Sequence, residues 1–168
     1  MGFGPIDGGS NPPGPMNMFK DELLQDIKAL GGFPVYTIVV IVAFFYGMTA
    51  LSAQLLVGIV LAFGVTVLIR IISFKERPDR QPFNGFLTKI DASSFPSLHS
   101  MRASILATLL TRQITNPILI ILLILYAMAV GFSRVQLKRH YVSDVVAGLI
   151  LGIFVALASA WLVARFIS

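Results

Sequence analysis

Along this chain the apolar residues fill long uninterrupted runs, and charge is confined to short stretches between them. The longest run lies between Lys28 and Arg70, 41 consecutive residues without a charged side chain. One helix of that length, rising about 1.5 Å per residue, would be roughly twice the thickness of a bilayer core. The pattern therefore predicts two spans folded back on each other, Phe33 to Met48 and Leu51 to Phe74. Their turn falls between Gly47 and Gln54, where Gly, Thr, Ser and Gln break the apolar run. Gln113 to Ser133, with 21 uncharged residues, and Val145 to Ala164, with 20, each suit one further span. Asn116-Pro117 marks a helix start in the first of these, since proline fits a first turn. Pro96 to Arg112 is split by Arg102, which leaves nine uncharged residues from Ala103 to Thr111. It too is expected to span, because lipid offers no partner to unpaired backbone groups.

The expected fold is an all-α, polytopic membrane helix bundle of about five transmembrane helices, with its ends on opposite sides of the bilayer. An amphipathic interfacial helix at 17–32 precedes the membrane domain, 33–168. In it Phe19, Leu23, Leu24, Ile27 and Leu30 recur at helical spacing, opposite Lys20, Asp21, Glu22, Asp26 and Lys28. Residues 1–16 hold nine Gly or Pro and read as a disordered tail. They lack the basic start and apolar stretch of a signal peptide, so no cleavage is expected. Composition agrees with lipid as the main solvent. Only 12% of residues are charged, against about 25% in soluble domains. The absence of cysteine excludes disulfide scaffolds, thiolate metal sites and cysteine nucleophiles.

The net charge of +5 comes from 13 basic and 8 acidic side chains. A pI near 9.9 would suggest nucleic acid in a soluble protein. Here most of the basic residues fall in two stretches, Arg70 to Arg102 and Arg134 to Asp144, which the fold-back brings to one end, so no nucleic-acid partner is expected. The carboxylates at that end are Glu76, Asp79, Asp91 and Asp144, too few beside so many cations for an oxygen-ligated metal. An anionic ligand fits better, because guanidinium forks match phosphate oxygens. Arg70 and Arg77 are seven apart, close to two helical turns, and would share a stripe before Pro78. His140 and Asp144 are four apart, neighbours on one face at the start of the last span. That pair reads either as an oriented nucleophile or base, or as a capping carboxylate beside a surface histidine. His99 follows Pro96-Ser97-Leu98 at the head of a span, where free backbone N–H groups favour an anion. From Asp144 in steps of four come Gly148, Gly152, Ala156, Ala160 and Ala164, a small-residue ridge that permits close helix approach.

The three pieces in this order, Arg70-x6-Arg77-Pro78, Pro96-Ser97-Leu98-His99 and Ser133-Arg134-x5-His140-x3-Asp144, resemble the signature of the type 2 phosphatidic acid phosphatase superfamily. That superfamily includes lipid phosphate phosphatases, polyprenyl diphosphate phosphatases, glucose-6-phosphatase and soluble vanadium haloperoxidases. The resemblance implies that His140 attacks phosphorus and forms a phosphohistidine, that Asp144 orients it, and that His99 is the acid for the leaving oxygen. Arg70, Arg77 and Arg134, with Ser97 and the backbone at Leu98, would hold the phosphoryl oxygens. Neither a metal nor any other cofactor is required. This sequence departs from the usual pattern at Arg70, where lysine is common, and at Leu98, where glycine is.

The implied activity is hydrolysis of a lipid phosphate monoester or diphosphate. A polyprenyl diphosphate or phosphate is placed ahead of phosphatidate or phosphatidylglycerophosphate. A phosphotransferase passing the group to another hydroxyl would use the same residues, and an anion channel or scaffold would need only the basic cluster. The basic residues outside the proposed catalytic set put the polar end in the cytoplasm by the positive-inside rule. The resemblance to lipid phosphatases puts it outside, and the side is left open.

Overall fold

A computed structural model describes residues 15–79 and 82–166. The tail expected at 1–16 lies outside them, apart from its last two residues. Seven helices account for most of the described chain, and they include no strand. They are α1 (Pro15–Leu30), α2 (Phe33–Phe45), α3 (Thr49–Ile72), α4 (Phe86–Ala92), α5 (Leu98–Thr111), α6 (Pro117–Gln136) and α7 (Val142–Phe166).

Local chemistry sets the ends of these helices. Gly32 precedes α2, and Pro34 occupies its first turn. Its other end closes on Gly47 at φ +77, with Gly47 N–H donating to Phe44 and Met48 N–H to Ala43. This is a Schellman motif on the glycine that the pattern marks as a turn. Asn116 caps α6, its Oδ1 accepting from Ile118 N–H at 2.9 Å, as the Asn-Pro step predicts. α3 ends at Ile72, where Ser73 turns extended at φ −135. The next residues run beside those that precede α5: Ser94 N–H donates to the Lys75 carbonyl at 2.8 Å, and Ser94 Oγ to that of Glu76 at 3.1 Å. The helical stripe expected for Arg70 and Arg77 is therefore not formed, because Arg77 lies in this extended strap.

Three helices, α3, α6 and α7, are long and apolar enough to cross a membrane. α1 and α2 together make a fourth candidate, bent by 41° at Gly31-Gly32. Three of the five expected spans thus pass on length and apolarity, and a fourth does if the bent pair is one span. The segment expected to be an interfacial helix forms the first arm of that bent pair. Gly31 sits at the bend because a Cβ there would overlap the Val130 side chain of α6.

The remaining expected span is α5, only 14 residues long, or about 21 Å against the roughly 30 Å of a hydrocarbon core. It needs no lipid-facing length because protein surrounds it. Every residue from Ser100 to Ala107 is buried, packed among α3, α6 and α7. The small ridge of α7 permits this. A Cβ on Gly148 would come within 2.5 Å of the Ser97 carbonyl, and one on Gly152 within 2.6 Å of the Met101 carbonyl. Large apolar side chains such as Phe63, Leu122 and Phe154 are exposed on the outer faces of the bundle, where lipid replaces water.

Candidate active site

The C-terminal ends of α3 and α6, the N-terminal ends of α5 and α7 and the strap after α3 meet at one end of the bundle. Backbone bonds join them. Ser97 N–H donates to the Asp144 carbonyl at 3.0 Å, tying α5 to α7, and Asp79 N–H donates to the Lys138 carbonyl at 3.0 Å. Beside the latter, Arg139 and Asp79 form an ion pair at 3.5 Å. The α6–α7 turn reverses through Lys138 at φ 52, with Arg139 and His140 N–H both donating to the Arg134 carbonyl.

His140 is in this turn, two residues before α7, and is 3% exposed. It therefore does not share a helix face with Asp144, as the spacing of four suggested. Its Nδ1 lies 2.7 Å from the Ser94 carbonyl oxygen. A carbonyl only accepts, so Nδ1 carries the proton and Nε2 is left with its lone pair. Burial, together with the Arg134 and Arg77 guanidiniums, pushes the imidazole down to about 3 although Asp144 pulls the other way. The ring is neutral at physiological pH.

Asp144 is fully buried in the first turn of α7. Its Oδ2 accepts from Tyr141 N–H at 3.0 Å, so the carboxylate caps the helix. Its Oδ1 accepts from Lys75 Nζ at 2.5 Å, and Ser143 Oγ also bonds that lysine, at 2.9 Å. The distance from Oδ2 to His140 Nδ1 is 3.9 Å, an electrostatic contact rather than a hydrogen bond. Lys75 Nζ also sits 4.7 Å from the centre of the Tyr141 ring. The sequence pattern does not single out this lysine. It is two residues before Arg77 on the strap, and only the tertiary fold brings it to Asp144.

The three arginines converge from three elements. Arg70, buried at the end of α3, donates from Nη1 to the Ile90 carbonyl at 3.2 Å and from Nη2 to that of Pro96 at 3.3 Å. Arg77 donates to the Asp91 carbonyl at 2.5 Å, and burial draws its guanidinium below the ordinary arginine range. Arg134, buried in the last turn of α6, bonds no described residue through its guanidinium, and its Nε is enclosed. Such a donor is set to receive an anion.

Ser97 caps α5, its Oγ accepting from Ser100 Oγ at 2.9 Å and from Ser100 N–H at 3.4 Å. Leu98 is the first helical residue and has no positive φ, so no glycine-like backbone is needed there. Its side chain lines two apolar cavities. His99 follows it, partly buried. Among the described residues no three His, Asp or Glu side chains gather as metal ligands would.

The family model described as PAP2 superfamily matches residues 50–168, which include every one of these side chains. The chain belongs to the PAP2 superfamily. Decaprenylphosphoryl-5-phosphoribose phosphatases from two Mycobacterium tuberculosis strains, CDC 1551 / Oshkosh and H37Rv, are each 32% identical to it over 95 residues, 56% of this chain and 51% of theirs. The chain spans about half the length of these curated relatives. The crystal structure of Aquifex aeolicus LpxE superposes with a TM-score of 0.71 over 90% of this chain and 87% of that one, at 22% identity. The transmembrane PAP2-type phosphatidylglycerolphosphate phosphatase of Bacillus subtilis gives 0.61 at 27% identity, covering 88% and 78%. With these neighbours and its apolar helices, this PAP2 protein is a multi-pass membrane protein.

Proposed function

We propose that this PAP2 protein is an integral membrane lipid phosphatase that works through a phosphohistidine and without a metal ion. The observation that carries the reading is the buried, neutral His140. Its Nδ1–H is fixed by Ser94, and its Nε2 is free beside Arg134 and Arg77. In the first step Nε2 attacks phosphorus and the P–O bond to the lipid breaks. His99, kept neutral by burial and the Arg134 and Arg102 guanidiniums until an anionic phosphate lies beside it, takes up a proton with the substrate and passes it to the departing oxygen. In the second, water attacks the phosphohistidine with His99 taking its proton, the N–P bond breaks, and inorganic phosphate leaves. The covalent intermediate divides one hard displacement into two easier ones. The arginines, held by backbone carbonyls or left open to an anion, stabilise charge on the equatorial oxygens. Asp144 keeps the turn before α7 in place and offsets the positive field around His140.

A cavity of about 300 Å³ supports a lipid substrate. It runs from Arg70 and Asp91 past Leu98 to Phe63, Thr66 and Val67, so an apolar path leads from the arginine cluster along α3. The mycobacterial relatives, decaprenylphosphoryl-5-phosphoribose phosphatases, support a polyprenyl-linked phosphate in it. Phosphate release by detergent-solubilised protein, measured with isoprenyl, glycerolipid and water-soluble phosphates, tests the reading. We expect release from lipids without an added acceptor, unchanged by EDTA, inhibited by vanadate and lost in His140→Ala. Full release by His140→Ala, or strict dependence on a divalent ion, overturns it. Turnover only with an added hydroxyl acceptor indicates a transferase instead.

A further inference from the structure

Arg102 lies outside the phosphate site just described. It follows His99 by three residues on α5, hence on the same helix face, one turn nearer the apolar middle of the bundle. It is 8% exposed, and its guanidinium has no hydrogen bond or ion pair to any described residue, with Nε enclosed. The nearby groups of the active site do not compensate it, since Arg134 is a cation and His99 carries no negative charge. The polar groups that face it are the phenols of Tyr36 and Tyr126, which donate their protons to the carbonyls of Leu55 at 2.8 Å and Leu30 at 2.9 Å. A buried cation in an apolar bundle is costly without an anion to meet it.

The space in front of Arg102 suggests where that anion comes from. Arg102 lines a cavity of about 360 Å³ with Phe33, Ile59, Val60, Phe63 and Leu98. Phe63 and Leu98 also line the cavity that holds Arg70. The two spaces therefore adjoin, with Arg70 at one end, hydrocarbon side chains at the other, and Arg102 beside the passage. A ligand lying through both, with its phosphoryl group at the arginine cluster and its tail against α3, presents its linking segment to Arg102.

We propose that Arg102 binds a second phosphate of the substrate, the one that joins the scissile phosphoryl group to the hydrocarbon tail. The proposal rests on the lipid-phosphatase reading and narrows it to lipids with two phosphates in series. Either the inner phosphate of a diphosphate or a phosphodiester carrying a phosphorylated polyol supplies that chemistry. Arg102 is then a specificity-determining residue, and a lipid with one phosphate leaves its guanidinium unanswered.

The test compares kcat/KM of wild type, Arg102→Gln and Arg102→Lys on two matched pairs of lipids. One pair is an isoprenyl diphosphate and the monophosphate of the same chain, and the other is phosphatidylglycerophosphate and phosphatidate. Wild type is expected to prefer the two-phosphate member of at least one pair. Arg102→Gln should reduce that preference by about tenfold or more, the scale of one charged hydrogen bond. The pair that responds identifies the source of the inner phosphate. Should the glutamine variant fail to fold, Arg102→Lys, which keeps the charge and loses the fork, should reduce the preference by about threefold. No wild-type preference in either pair, equal slowing of both members, or an unchanged ratio in the lysine variant overturns the proposal. Wild type that releases phosphate from none of the four lipids overturns the phosphatase reading, and this proposal with it.

Discussion

His140 illustrates how one residue couples chemistry to stability. Its folded value of about 3 lies below the ordinary 6.5 of an exposed histidine. Above pH 6.5 both folded and unfolded forms are neutral and the group contributes nothing. As pH falls from 6.5 toward 3 the unfolded chain takes up the proton first, so stability declines by up to about 1.4 kcal/mol per unit. The thermal midpoint of solubilised protein should therefore drop between pH 6.5 and 4, and more shallowly in His140→Asn. An identical drop in the variant contradicts the burial argument. Lys75 gives a second test, because Lys75→Met strands the buried Asp144 carboxylate and should cost about 1–3 kcal/mol of stability. Adding Asp144→Asn should recover part of that loss, and a double variant no more stable than Lys75→Met argues against the pairing. At this scale the gathering of the histidines, Asp144 and the arginines at one end is legible in the sequence, because these residue types are few in the chain and their spacing is distinctive. The partner of His140 is not: the Ser94 carbonyl is backbone, which any residue could supply. Nor is Lys75, whose role depends on a strap crossing from α3 to α7.

Among the elements, α5 and α7 fix the site, because their close approach sets Ser97 against the Asp144 backbone. Gly148→Leu should separate the two helices, lowering both thermal midpoint and activity. Gly64→Ala, with nothing within 4 Å of an added Cβ and a place in a regular helix, should leave them unchanged or slightly raised. If Gly148→Leu matches wild type in both, the small ridge does not set the helix distance. The ridge is legible from its steps of four and the α6 start from Asn-Pro, since both depend on local chemistry. The lengths of α2 and α5 are less so. A hydropathy run cannot tell a helix wrapped by protein from one wrapped by lipid, and α5 can be short and carry Arg102 because its neighbours cover it. The expected Arg70–Arg77 stripe fails for a related reason, as α3 stops at Ile72 and the strap beyond it bonds instead to Ser93 and Ser94.

For the whole molecule, both polar stretches belong to one end of a membrane bundle. Introduced cysteines report position without background, since the chain has none of its own. Single cysteines at Asp91 and Lys138 should label from the same side of the membrane, and those at Gly47 and Gln113 from the other. Labelling of Asp91 and Lys138 from opposite sides would break the arrangement, and the side that labels them decides between the positive-inside reading and the outward-facing one. The central claim is that phosphate passes through His140. It is tested most directly by incubating the protein with a lipid phosphate labelled in its terminal phosphoryl group, quenching in alkali and mapping the label. An acid-labile, alkali-stable label on the peptide containing His140 is expected, absent from His140→Ala. Turnover without any such label, or the same label in His140→Ala, would contradict it.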